Sequence, residues 1–495
     1  MHKFTLTLIG FFTYLTTFSQ IASENTVPDF INLSQVEAHL RFLASDALKG
    51  RDTGSPELTI AAQYIAAYFQ GYGLQTLDSA DRYFQPVSLF NVKPPSAASL
   101  AFQEQEFQLI DDMLLLAGDS LRQEASAVFV SYGMPEDLEG MDLDGKIVVA
   151  LMGRPGDTNP QSAFFATAEK QQQITEMGGV ALIELYRSTQ VPWSLLVRYL
   201  SGDQMKVKQG SAEDELPIIW LNDGKSELKS LFEENSGETA SLRIGSKIEQ
   251  PVDAKNVVGA IAGTDPSLRD EYVVLSAHYD HIGVNPQATG TEDSIYNGAR
   301  DNGMGTTALL SAAQYFSENP PQRSILFLAF TGEEKGLLGS QYYSQNPLVP
   351  MSQVVFNLNT DGAGYNDTTK VTAIGLERTT AQKAIASASQ SVGLEAIMDP
   401  VPEQNLYDRS DNVNFAKLGV PAVTFAPGAT DFGPEIMKYY HQVSDEAESL
   451  NFNYVEKYCE AFVRAAENIA NLDQAPTWQE GDKYEEAGKQ LYGER

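Results

Sequence analysis

The chain has 495 residues, too many for one ordinary hydrophobic core, so two domains or one domain with a large insertion are expected. Lys and Arg number 34 against 66 Asp and Glu, a formal net charge of −32, which argues against nucleic acid or an anionic lipid surface as partner. Hydrophobic residues make up 42% and charged residues 20%, so most of the chain is expected to fold as a soluble globule.

The N-terminus reads as a targeting segment. His2 and Lys3 make a short polar start, Phe4 to Phe18 is mostly apolar, and Ser19, Gln20, Ala22 and Ser23 offer small or polar residues for cleavage. The run is short for a membrane span, so residues 1–22 are read as a signal peptide with no stable membrane insertion after cleavage. Cys459 is the single cysteine, which excludes an intramolecular disulfide and a thiolate metal cluster. Export without disulfides points to a bacterial periplasm or exterior.

Leu33–Leu48 and Leu58–Tyr72 carry apolar residues at three- and four-residue spacing and read as helical, with Gly50, Arg51 and Gly54 between them. From about Phe90 to Ile248 the texture turns β-rich, with runs at Ala127–Tyr132, Lys146–Leu151 and Ile218–Leu221. A helix at Thr167–Met177 leads there into a strand at Val180–Leu185. From Asn256 strands and helices alternate. Strands are expected at Tyr272–Ala277, Ser324–Phe330, Val354–Leu358 and Val420–Phe425. Helices are expected at Thr306–Phe316, Leu337–Tyr343, Ala381–Ser391 and Asn453–Ile469. This alternation implies an α/β fold with a mostly parallel central sheet flanked by helices.

The chemistry lies in where His and acidic residues fall. His278 and Asp280 follow the first of these strands, and Asp301 precedes the next helix in Gly298-Ala299-Arg300-Asp301-Asn302-Gly303. Glu333 and Glu334 follow the second strand, Asp361 follows the third, and His441 lies downstream in Tyr439-Tyr440-His441-Gln442. Carboxyl ends of parallel strands are where α/β folds place ligand sites. Taken singly, each is an ordinary strand-end or helix-start residue. Taken together, in a chain with only five histidines, they read as a metal site. Two imidazoles and three carboxylates without thiolate suit zinc, with cobalt or manganese as lesser options. Five ligands are too many for one open zinc site and right for two Zn²⁺ sharing a carboxylate, with a spare carboxylate as base. Asp280 could orient the His278 ring. The absence of Gly-x-Ser-x-Gly and His-Glu-x-x-His argues against a serine hydrolase and the commonest zinc endopeptidase motif.

On these motifs the chain resembles the zinc aminopeptidase and glutamate carboxypeptidase family of co-catalytic metallo-exopeptidases. Leu43-Ala44-Ser45-Asp46 through Gly50-Arg51 is similar to the family's N-terminal helix signature, and Ala277-His278-Tyr279-Asp280-His281-Ile282-Gly283 to its first metal motif. The resemblance implies that His278 and Asp361 bind one zinc, that Glu334 and His441 bind the other, and that Asp301 bridges them. It implies Glu333 as general base, Asp280 as support for His278, and Tyr440 as stabiliser of the tetrahedral intermediate. In the family the bond after the bridging Asp is often cis, which points to Asp301–Asn302. Val128-Phe129-Val130-Ser131-Tyr132-Gly133 and Leu143-Asp144-Gly145-Lys146-Ile147-Val148 resemble an inserted protease-associated domain.

The expected organisation is a signal peptide (1–22), a discontinuous peptidase domain (23–100 and 250–475), the inserted domain (101–249) and a C-terminal tail (476–495). The insertion, without ligands of its own, is expected to narrow access to the site. One departure stands out: in Arg409-Ser410-Asp411-Asn412, Asn412 replaces the family's usual His at a position near the substrate pocket, with Arg409 a candidate substrate contact. The expected function is an aminopeptidase acting on peptides. A carboxypeptidase, a single-zinc glutaminyl-cyclase-like enzyme and a non-catalytic binding module are the alternatives.

Overall fold

Tyr272–His278, Ser324–Phe330 and Val354–Thr360 are seven-residue strands, buried along nearly their whole length. Apolar residues on both faces of a strand suit the middle of a sheet covered on both sides. The computed structural model describes residues 31–493 apart from 79, 157–159, 188–190, 209–215 and 290–291. The expected signal peptide lies outside the described residues.

The central sheet runs in the order Phe84–Pro86, Lys255–Ile261, Ser324–Phe330, Tyr272–His278, Val354–Thr360, Ala422–Pro427, Lys370–Ile374, Glu395–Ile397. Its middle four strands are mutually parallel. Lys255–Ile261 and Lys370–Ile374 join them antiparallel, so the sheet is mixed towards its margins. Side chains alternate between two cores. Val273, Leu275, Ile325 and Phe327 pack with the helices Leu33–Leu43, Pro56–Gly71, Gly305–Glu318 and Phe452–Ala470. Val274, Leu326, Leu328 and Phe330 pack on the other face with Tyr343, Phe415 and Trp478.

A second eight-stranded sheet is built from strands between Ala98 and Ile244, with its own core around Phe102, Ile183, Ile219 and Leu242. A three-stranded sheet of Ile248–Val252, Leu89–Lys93 and Gln204–Val207 lies where the chain enters and leaves this region. Inside it, Glu184 is wholly buried and accepts from Lys170, Thr167 and Trp220 at 2.7, 2.6 and 2.9 Å. Among the described residues no helix is long and apolar enough to cross a membrane.

Two expected elements end earlier than their apolar patterns. The first helix stops at Leu43, where the guanidinium of Arg51 takes the Leu43 carbonyl, and the chain turns through positive φ at Lys49, Gly50 and Arg51. The strand expected to reach Tyr132 ends at Phe129, because Ser131 and Gly133 form a turn with φ of 53° and 67°.

Candidate metal centre

The parallel strands end side by side, and their last residues open onto one rim. His278 closes its strand, Glu333 and Glu334 follow the strand ending at Phe330, and Asp361 follows Thr360. Asp301 lies in a turn ahead of the helix Gly305–Glu318, with its peptide bond to Asn302 cis. His441 arrives from the C-terminal part with φ of 55°.

These side chains meet in two groups. His278 Nε2 is 3.1 Å from Asp361 Oδ1 and 3.3 Å from Asp301 Oδ1, with Glu333 Oε2 at 4.0 Å. His441 Nε2 is 3.2 Å from Asp301 Oδ2 and 3.1 Å from Glu334 Oε2. Asp301 therefore turns one oxygen to each group.

The charge balance calls for a cation. Side chains of Asp301, Glu333, Glu334 and Asp361 are 5–14% exposed, and among the described residues their ion-pair partners are histidines. Burying carboxylates without a full counter-charge is costly. Burial disfavours a charged His441, yet its hydrogen bonds to Asp301 and Glu334 outweigh this and carry it up to about 10. Burial drives the Glu333 carboxyl well above the usual carboxylate range, and Asp361 adds to that while His278 opposes it. The imidazoles here stand in for positive charge that a metal would supply. Oxygen and nitrogen donors of His278, Asp301 and Asp361, and again of His281, Asp301 and Glu334, lie within 4.8 Å of one another, so these residues fit a metal.

Several neighbours hold the rim in shape. The Asp280 carboxylate accepts from the amides of Glu333 and Glu334 at 3.2 and 3.3 Å and from the Thr53 hydroxyl at 2.9 Å. His278 Nδ1 is closer to the Asp280 carbonyl, at 3.2 Å, than to the carboxylate, at 3.8 Å. Asp280 thus ties the Glu333–Glu334 turn to the end of the neighbouring strand. Asp361 accepts from the Ser410 hydroxyl, which in turn accepts from Asn359.

Three residues outside the sequence-based set also build the site. Asp445 accepts from the amides of Arg300 and Asp301 at 2.9 and 3.3 Å and from the Arg300 guanidinium at 2.9 Å. Buried Arg51 donates to the carbonyls of Tyr279, Asn297 and Gly298 at 2.9, 2.7 and 3.0 Å. His281 Nδ1 lies 2.7 Å from Glu334 Oε1. The spacing of His281 from His278 and the place of Arg51 in the Gly50-Arg51 stretch are visible signals in sequence, whereas Asp445 acts on backbone groups and leaves none.

A cavity of about 110 Å³ opens beside Asp301, Glu333, Glu334, Asp361 and His441. Ile374, Val401, Leu406, Ala426, Phe432 and Ile436 give it an apolar wall. Tyr440 lines it, stacked on His441 with ring centroids 4.1 Å apart, and Arg409 lines it with a guanidinium nitrogen 3.4 Å from the Tyr440 hydroxyl. Asn412 is buried, donates to the Tyr407 carbonyl at 3.1 Å and does not line the cavity. The residue that departs from the family pattern therefore supports the Tyr407 turn. No residue of 101–249 lines the cavity among the described residues, so its walls do not come from that β-rich region.

Residues 256–466 match the model of Peptidase family M28. The chain is 25% identical over 316 residues to Aminopeptidase YwaD of Bacillus subtilis (strain 168), covering 62% of this chain and 59% of that protein. It is 28% identical over 237 residues to a vacuolar membrane protease of Ajellomyces dermatitidis, covering 44% of this chain and 22% of that protein. The match thus spans less than two thirds of these relatives' own length. The solved structure "Aminopeptidase from Aneurinibacillus sp. strain AM-1" shares the fold, with a TM-score of 0.54 at 18% identity over 90% of this chain and 95% of that one. The likeness to the zinc aminopeptidase and glutamate carboxypeptidase family, read from the motifs, thus stands.

Proposed function

We propose that this chain, similar over residues 256–466 to Peptidase family M28, is an aminopeptidase that removes N-terminal residues from peptides with two zinc ions. The observation that carries this reading is Asp301, whose Oδ1 faces His278 and whose Oδ2 faces His441. His278, Asp361 and Asp301 would hold one ion, and Glu334, His441 and Asp301 the other. Bound there, zinc supplies Lewis-acid activation of water and of the scissile carbonyl.

The chain's own residues do the rest. Glu333, buried beside His278, takes the proton of the attacking water and passes it to the leaving amine. Its buried place beside the two groups of ligands suits both halves of that task. The Tyr440 hydroxyl donates to the developing oxyanion, and Asp280 keeps Glu333 and Glu334 at the rim through their amides. The apolar wall of the cavity takes the side chain of the terminal residue.

Charge favours the N-terminus. Anchoring a free carboxylate calls for cations, and Arg409 is the cation that lines the cavity. Arg300 is buried against Asp445 and Ser449 and is not free to bind substrate. Acidic Glu333 and Asp431, neither of them assigned to an ion, also line the cavity and suit an ammonium group. The β-rich region 101–249 is proposed as an inserted protease-associated domain, and residues 1–22 as an export signal that places the enzyme in a bacterial periplasm or outside the cell. The test is a panel of aminoacyl chromogenic substrates and N-blocked peptides. Release of apolar N-terminal residues is expected; cleavage of blocked but not free-amine peptides would overturn the assignment.

A further inference from the structure

Two imidazoles grip the Glu334 carboxylate from opposite ends. His441 Nε2 lies 3.1 Å from Oε2, on the side of Asp301 Oδ2, while His281 Nδ1 lies 2.7 Å from Oε1. The two rings stand 5.6 Å apart at 73°. Asp301 gives its oxygens to His278 and His441, so the group His281 addresses most closely is Glu334.

The surroundings of His281 fix its ring. The residue is 0% exposed, and its backbone amide donates to the Arg51 carbonyl at 3.1 Å. Gly298 leaves the space the ring fills: a Cβ there would lie 2.6 Å from His281 Cδ2, and its φ of 59° also suits glycine. A carboxylate oxygen accepts, so the bond between His281 Nδ1 and Glu334 Oε1 runs from ring to carboxylate. His281 Nε2 has no hydrogen-bond partner among the described residues. The one polar bond this buried ring makes is thus to a carboxylate of the metal centre.

We propose that His281 is a positioning residue: it holds Glu334 Oε1 so that Oε2 is fixed beside His441 for the second metal ion. The role rests on the two-metal reading above. It inverts the usual arrangement in which a carboxylate orients a metal-binding histidine, and its effect on affinity should be of the same kind. Without it the Glu334 carboxylate is free to turn about its last bond and the second ion loses a fixed ligand.

The test is zinc affinity, read by competition with a chelator on reloaded wild-type, His281→Leu and His281→Asn proteins, together with the thermal midpoint of each metal-free form. The Asn side-chain nitrogen can occupy the place of Nδ1 and donate to Oε1. His281→Leu is expected to bind the second ion about 10–100-fold more weakly, with the first ion little changed and most of the loss restored in His281→Asn. Wild-type protein that takes up two ions, with His281→Leu holding both as tightly, overturns the role of His281 alone. Equal weakening in Leu and Asn variants, tracking equal falls in metal-free stability, also overturns it by making the role purely structural. Wild-type protein that takes up fewer than two ions overturns the two-metal reading and the proposal with it.

Discussion

Replacing Asp445 by Asn removes an acceptor on which two backbone amides and a guanidinium converge. Asp445 is 1% exposed; its Oδ2 takes the amides of Arg300 and Asp301, and its Oδ1 the Arg300 guanidinium at 2.9 Å. An amide side chain keeps one acceptor oxygen and turns an NH₂ towards donors at the other position. At least one buried donor is then unmatched, at about 1–3 kcal/mol. Breaking a buried ion pair costs about 3–5 kcal/mol, but Arg300 keeps a bond to Ser449 Oγ at 2.8 Å and stacks 3.6 Å above the Tyr439 ring, which places the total near the lower end. The expected loss is about 3 kcal/mol, read as a fall in the urea midpoint with unchanged slope. With its oxygen kept towards the two amides the variant loses the guanidinium bond, so the Asp301 turn is held less firmly and metal affinity should fall with stability. A variant within 1 kcal/mol of wild type would refute the claim that Asp445 fixes the Asp301 turn.

Glu333→Gln keeps shape but cannot take a proton; turnover should drop by about 10²–10⁴-fold or more with two metals still bound and little change in substrate affinity. Glu334→Gln should instead weaken one metal, with partial rescue by excess zinc, and the reverse pattern would exchange the two roles. Lys170→Met leaves Glu184 buried without its cation, so chemical denaturation of the variant should show a loss of about 3–5 kcal/mol in the unit holding the Ala98–Ile244 strands. Because that region contributes no residue to the cavity, turnover by the folded variant should match wild type.

The site was largely legible because its residues follow apolar runs that can only be central strands. His278, Glu334 and Asp361 sit one to four positions beyond such runs, so a parallel sheet brings them together whatever the loops do. The marginal strands were harder. Lys370–Ile374 and Glu395–Ile397 are short, and the second is partly exposed, so neither has the apolar length that marks the middle of the sheet. Asp445 was hidden for a different reason. It acts through backbone amides of a segment far away in sequence, and a carboxylate that binds an amide has no pattern of its own. Asp280 reads from its spacing as a partner for the His278 ring, and its carboxylate lies 3.8 Å from that ring while also taking the amides of the Glu333–Glu334 turn. Asn412, expected near the substrate pocket, lies beside the lining residues Arg409 and Ser410 and supports the Tyr407 turn.

The central claim is a pair of metal ions joined through Asp301. Its most direct test is zinc content of chelator-free protein, with Asp301→Asn measured beside wild type. The account predicts about two zinc ions per wild-type chain, and fewer than two on Asp301→Asn, because each group of ligands draws on one Asp301 oxygen and an amide keeps only one. A reproducible single ion in wild type, or an Asp301→Asn protein that keeps two, would contradict it.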